Sequence, residues 1–82
     1  YAVALEYKPE EMVAPRVIAK GRDLIAQEIK ELGREHDIPT VENKPLARAL
    51  YRSVEVEQEI PIELYKAVAE VLAYVYRIRH RN

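Results

Sequence analysis

Large apolar side chains alternate with small or charged ones over residues 1–7 (YAVALEY), which places the large ones on one side of an extended segment. This period of two residues is typical of a β-strand. A second, β-branched run at residues 16–20 ends at Gly21 and predicts a second strand, and residues 39–42 predict a short third one. Because a helical segment joins the second and third strands, we expect these two to be parallel if they are neighbours.

Other segments place apolar residues at helical spacing and predict three helices. The first covers residues 22–37, and its expected inward face consists of Leu24, Ile25, Ile29, Leu32 and His36. The second, residues 45–52, follows Asn43, a favourable N-cap, and is expected to direct inward Leu46, Ala49 and Leu50. The third starts at Pro61 and continues to the end of the chain.

Polar side chains occupy only a narrow stripe of the third helix, formed by Glu63, Lys66, Glu70 and Arg77. A helix on a small sheet normally has a wider polar face. Either the domain covers this helix unusually well, which is the simpler interpretation, or part of its apolar surface receives a partner. The order of the elements predicts an α/β fold, a small mixed sheet of three strands packed with three helices. Three strands are few for three helices, which indicates that a strand is missing.

The composition limits the functions that the chain can have. Its 82 residues predict a single domain, residues 1–82, and a net charge of −1 argues against a nucleic-acid partner held by bulk charge. Cysteine is absent, there are only two glycines and no nucleophile motif, so we expect no enzyme, metal site or cofactor. The basic cluster at residues 77–81 is interpreted as a charged helix end, with membrane or nucleic-acid contact as the alternative.

Two stretches resemble one protein family. PLARALYR, residues 45–52, and EIPIELYKAVAEVLAYVY, residues 59–76, are similar to the C-terminal cytoplasmic domain of the FlhB/YscU family of type III export switch proteins. The likeness extends upstream through YAVALEY, MVAPRVIAKG and EHDIPTVEN, and it favours the flagellar branch over the injectisome branch. One departure is Glu57, where the family usually has Gly, and this argues against a special backbone geometry there.

The resemblance implies that the chain is the downstream part of a switch domain whose upstream part supplies a fourth strand and a helix to the same fold. It does not by itself assign self-cleavage to this chain. Family members carry an Asn-Pro-Thr-His motif directly before the strand that resembles YAVAL, and they cut themselves between its Asn and its Pro. The motif is absent from this sequence, so no catalytic residue is assigned, and Tyr1, Ala2 and Val3 form the cleavage-adjacent strand. A free-standing adaptor of the same kind, which is not cleaved, is the alternative.

The resemblance also implies a function. The expected function is to bind early export substrates, the rod and hook subunits, and to change specificity to filament substrates after a signal from the hook-length ruler protein. The expected partners are these substrates, the ruler, the upstream half of the same protein and other export-gate components, at the cytoplasmic face of the bacterial inner membrane. The implied substrate-recognition patch consists of Ala14, Pro15, Ala69 and Leu72, with a core position for Ala69 and Leu72 as the alternative.

Overall fold

The computed structural model describes residues 1–80 of the chain. It contains two strands, three α-helices and a single turn of 3₁₀-helix. Their bounds are β1 Ala2–Glu6, β2 Arg16–Gly21, α1 Asp23–Glu35, α2 Lys44–Ser53, the 3₁₀ turn Ile62–Leu64 and α3 Tyr65–Arg79. Residues 54–61, which join α2 to the 3₁₀ turn, are called the connector below.

Within residues 1–80 the sheet consists of β1 and β2, and the two strands are antiparallel. The ladder runs from Ala2 opposite Gly21 to Glu6 opposite Arg16. The register shifts by one residue along the way, so β2 bulges at Ile18. The α/β class and the three helices are therefore confirmed, but the sheet has two strands from this chain rather than three.

The third strand predicted over residues 39–42 is wrong, and so is the parallel pairing expected of it. A run with strand character becomes a strand only where a neighbouring strand exchanges backbone hydrogen bonds with it. β1 and β2 pair with each other, and neither pairs with residues 39–42. Among residues 1–80 no strand pairs with residues 39–42, so this segment stays outside the sheet.

One hydrophobic core joins the sheet, α2, the connector and α3. Its buried members are Val17, Leu46, Leu50, Val54, Ile60 and Val68. Val17 in β2 is 0% exposed, and Val54 and Val68 are each 1% exposed. Complete burial of a side chain of this size contributes about 1.5–3 kcal/mol to stability. Val17 is therefore the fully buried contribution of the sheet to the core, and Val3 and Leu5 of β1 pack against it.

The second helix begins and packs as predicted. Oδ1 of Asn43 accepts a hydrogen bond from the backbone N–H of Leu46 over 3.2 Å, and Pro45 lies in the first turn. Leu46 and Leu50 are buried, and Ala49 is half-buried. The local capping signal and the apolar spacing were sufficient to place this helix.

The inward face predicted for α1 is wrong for four of its five members, and Ile29 is the one that is half-buried. Leu24, Ile25 and Leu32 are 73%, 51% and 54% exposed, and Ala26 is the buried residue of the helix. The expected member His36 is exposed as well, at the C-cap. α1 packs on β1 and β2. A sheet of only two strands is too narrow to cover the whole apolar face of a helix, so much of that face stays exposed.

The last helix, α3, is only partly covered. It starts after the 3₁₀ turn rather than directly at Pro61, and Val68 is its buried residue. Tyr74 and Tyr76 are 47% and 64% exposed. The interpretation that the domain covers this helix unusually well is therefore wrong for residues 1–80. Of the predicted basic cluster, residues 77–79 end the helix, and Arg81 lies outside the described residues.

Alanine in place of Gly21 is expected to destabilise the protein. Gly21 is buried at the end of β2, and an added Cβ would overlap Cγ2 of Ile25 and lie 2.7 Å from its Cβ. Overpacking of this kind costs about 1–3 kcal/mol. The measurement is the free energy of unfolding in urea.

Gly33→Ala in α1 is the matched control for this substitution. A Cβ added at Gly33 would have its nearest neighbour, Oγ1 of Thr40, at 3.9 Å, which is an ordinary contact. Because alanine is favoured over glycine inside a helix by about 0.8–1.0 kcal/mol, this variant should be more stable than the parent. A Gly21→Ala variant as stable as the parent would show that β2 and α1 are not in close contact.

Candidate functional site: an apolar pocket beside the last helix

A shallow apolar pocket lies between the loop before β2, the end of the connector and α3. Its volume is about 180 Å³, and we call it the apolar pocket. It is lined by Tyr7, Val13, Ala14, Pro15, Ile60, Tyr65, Val68, Ala69 and Leu72. None of these side chains carries a charge at neutral pH, and the two tyrosine hydroxyls are the polar side-chain groups among them.

The base of the pocket is formed by the loop and the connector. Ala14 is 1% exposed, Ile60 is 3% exposed, and Pro15 is buried as well. The backbone N–H of Ile60 donates a hydrogen bond to the carbonyl oxygen of Pro15 over 2.9 Å, which joins the two segments. Because Ala14 has only a methyl group, its side chain leaves the space above it open.

The wall of the pocket is formed by α3. Ala69 is exposed and Leu72 is half-buried, so neither is a fully buried core residue, although Leu72 also packs against the core. The two residues are three positions apart and therefore share one face of the helix. The structure thus brings together all four residues of the predicted recognition patch, from two distant parts of the sequence. That they bind a substrate stays a prediction.

The pocket is suited to holding one apolar side chain. An apolar protein cavity of about 150 Å³ holds a benzene molecule. The apolar pocket is of similar volume, and Val13 and Tyr65 beside it are 88% and 39% exposed, so a side chain can reach it from solvent. Because the pocket is shallow and open to solvent, a Leu- or Phe-sized side chain would be buried there only in part, so its gain lies near the lower end of the about 1.5–3 kcal/mol of complete burial. This is enough for recognition but not for tight binding.

Backbone hydrogen bonds hold the connector against β2. The N–H of Glu57 donates to the carbonyl oxygen of Val17 over 2.7 Å, and the N–H of Val17 donates to the carbonyl oxygen of Gln58 over 2.9 Å. Glu57 adopts a φ of 79°, a left-handed conformation that favours glycine. The expectation of an ordinary backbone at this position is therefore wrong. Glu57 thus adopts the left-handed backbone conformation that a glycine at this position would adopt at a lower steric cost.

The cleavage-adjacent residues of the sequence analysis lie at the start of the sheet and do not line the apolar pocket. Tyr1 precedes β1 and is 44% exposed. Its ring centroid lies 5.0 Å from that of Tyr51 in α2, with the ring planes at 56°. Ala2 is buried within β1, and Val3 packs against the core.

A second, basic groove, which was not predicted from the sequence, lies between α1 and α2. Its volume is about 670 Å³, and it is lined by Tyr1, Lys30, Lys44, Pro45, Ala47, Arg48, Ala49 and Arg52. Lys44, Arg48 and Arg52 follow each other at a spacing of four residues in α2, which contains no acidic residue. Such a row of like charges on one helix face is unusual, and it is the signal by which the groove could have been predicted.

The fold and its surface define a small α/β domain with an apolar pocket beside its last helix. The model of the family described as FlhB HrpN YscU SpaS matches residues 1–75. The flagellar biosynthetic protein FlhB of Salmonella typhimurium is 57% identical over 79 residues, and that of Bacillus subtilis is 51% identical over 81 residues. The chain therefore belongs to the FlhB/YscU family of export switch proteins.

The relatives are much longer than this chain. The alignment covers 96% of this chain but 21% of the Salmonella protein, and 99% of this chain but 22% of the Bacillus protein. The chain thus spans about a fifth of the length of these relatives. Among residues 1–80, no helix has the length and apolar character needed to cross a membrane.

Solved structures show the same fold. The cytoplasmic domain of FlhB from Shewanella putrefaciens superposes with a TM-score of 0.89 at 48% identity, over 98% of this chain and 64% of that structure. The C-terminal domain of PscU superposes with a TM-score of 0.87 at 38% identity, over 90% of this chain and 94% of that structure. The α/β fold described above is therefore the fold of these C-terminal domains.

Glycine in place of Glu57 is expected to stabilise the protein by about 0.5–1 kcal/mol, because glycine adopts a positive φ without the steric cost that other residues meet. The substitution also removes the Glu57 carboxylate 3.9 Å from Nε of Arg16, but this side chain is 72% exposed, and such pairs contribute little. The measurement is the urea midpoint at constant m-value.

Glu59→Gly is the control for this prediction. It removes an acidic side chain from the same connector at a position without a positive φ, so it should lower stability. If Glu57→Gly were as destabilising as Glu59→Gly, the left-handed conformation of the connector would be contradicted.

Proposed function

We propose that this chain is the downstream part of the cytoplasmic domain of a flagellar export switch protein, at the cytoplasmic face of the bacterial inner membrane. In this proposal the apolar pocket binds early export substrates, the rod and hook subunits. The observation that supports it most directly is the convergence of Ala14, Pro15, Ala69 and Leu72 on one surface pocket. Family membership and the names of the flagellar relatives support the assignment to export.

The chemistry of the pocket fits a protein substrate that is held briefly. An export gate must release each subunit after it has been recognised, so weak binding through one apolar side chain suits the task. The pocket has no charged lining residue, which allows it to accept different subunits that share an apolar side chain but differ in charge. The absence of a charge from the lining also makes a small anionic ligand a poor fit.

We propose further that an upstream part of the same protein completes the sheet. One edge of β1 has no pairing strand among the described residues, and Leu24, Ile25 and Leu32 of α1, which packs on this sheet, are exposed. The solved domain from Shewanella extends beyond the part that this chain matches, since the chain covers 64% of it. An upstream strand would pair with this edge of β1, and the self-cleavage motif would lie in that upstream part, so we propose no catalytic role for the present chain.

In the full switch, the hook-length ruler protein and other export-gate components would act on this domain. The change to filament substrates then requires that the apolar pocket bind the early subunits less well after the signal. Such a change requires two states of the protein that differ in their affinity for the early subunits. We propose that the two states differ in affinity because the apolar pocket itself changes between them.

Glutamate in place of Ala69 is expected to reduce export of hook subunits at least about tenfold, because the carboxylate removes the roughly 1.5 kcal/mol that an apolar side chain gains there. Ala69 is exposed, so the fold should be kept. The assay uses a Salmonella typhimurium FlhB in which this chain replaces the 79 residues that it matches. Hook subunits in the culture medium are quantified.

Ala73→Glu is the matched control. Ala73 lies one turn further along α3, is exposed and does not line the apolar pocket. Export from this variant should equal that of the parent hybrid. Equal export from the Ala69 and Ala73 variants would refute the assignment of the pocket. Ala14 is not used, because it is 1% exposed and a charge there would unfold the protein.

A further inference from the structure

Lys20 in β2 is the one lysine among residues 1–80 that is not exposed, and its side chain is 17% exposed. A lysine is rarely covered to this extent unless its ammonium group is paired. Groups near Lys20 must therefore pair with its ammonium group. They belong to the end of α2 and the start of the connector.

The ammonium group of Lys20 binds the C-terminal end of α2. Nζ donates one hydrogen bond to the carbonyl oxygen of Tyr51 and another to that of Val54, each over 2.9 Å. It also lies 5.1 Å from the centroid of the Tyr51 ring, within the range of a cation–π contact. The carboxylate of Glu55 lies 3.8 Å away, but its side chain is 77% exposed and contributes little.

These contacts satisfy groups that the helix itself leaves without partners. The last carbonyl groups of a helix have no intrahelical donor, and they form the negative end of its dipole. A positive charge placed there is stabilised, and hydrogen bonds to a charged donor are stronger than neutral ones. Lys20 therefore fixes the place at which α2 ends and the connector begins.

The same connector forms the base of the apolar pocket. From Val54 it continues to Glu57 and Gln58, which hydrogen bond to Val17, and to Ile60, which hydrogen bonds to Pro15. Ile60 and Pro15 line the pocket. A short chain of backbone contacts thus runs from Lys20 through the connector to the pocket, and Lys20 does not line the pocket itself.

We propose that Lys20 is a positioning residue for the apolar pocket: by holding the end of α2 it sets the path of the connector and, with it, the position of Ile60. This inference rests on the proposed function, in which the apolar pocket binds hook-type subunits. Lys20 acts on the binding of such subunits without touching them.

The test compares Lys20→Met with Lys20→Arg in the ¹⁵N-labelled chain, with purified hook subunit of Salmonella typhimurium as the probe. Lys20→Met keeps the apolar stem and removes the charge, so it should shift the amide signal of Ile60 in the free protein. It should also weaken binding at least about fivefold, the lower end of the usual coupling between two sites. Lys20→Arg keeps the donors and should restore most of the affinity. If Lys20→Met does not fold, Lys20→Gln takes its place.

Two further variants separate this effect from general instability and from the proposed function. Ala26→Gly destabilises α1, away from the pocket, and should leave the Ile60 signal and the affinity unchanged. Ala69→Glu should weaken binding at least about tenfold. The inference is overturned if Lys20→Met leaves the Ile60 signal in place, or if Ala26→Gly weakens binding as much. If Ala69→Glu binds normally, the proposed function fails, and the Ile60 signal still decides whether Lys20 positions the connector.

Discussion

The hydrogen bonds that Val17 exchanges with the connector are the interaction on which the rest of this structure depends. Val17 lies opposite Leu5 of β1, and its own N–H and carbonyl oxygen bond to Gln58 and Glu57. The connector therefore serves as a partner for the outer edge of β2, although it is not a regular strand. This arrangement brings α2 and α3 onto the same side chain at the centre of the core, because Val17 is fully buried among their residues.

The same constraint explains where apolar surface stays exposed. The core collects around Val17, between β2, α2 and α3, and the two strands are too narrow to cover α1 as well. α1 and much of α3 therefore keep apolar side chains in contact with solvent. Exposed apolar surface of this extent is typical of interaction sites, and it is the surface on which the proposed upstream strand and the proposed substrate would pack.

Local signals in the sequence were sufficient for part of this account. Asn43 and Pro45 fix the start of α2, and alternation over residues 1–7 fixes β1. The strand at 39–42 and the inward face of α1 could not be predicted, because both depend on what packs beside them rather than on their own pattern. The recognition patch came from resemblance to a family. The burial of Lys20 gave no signal, since a lysine in a two-stranded sheet is expected to face solvent.

The most direct test of the account is to map where a substrate binds. Purified hook subunit is titrated into the ¹⁵N-labelled chain, and the shifts of all backbone amide signals are followed. The account predicts that the largest changes fall on Ala14, Ile60, Ala69 and Leu72, around the apolar pocket. Changes confined to the basic groove at Lys44, Arg48 and Arg52, or no change at any position, would contradict it.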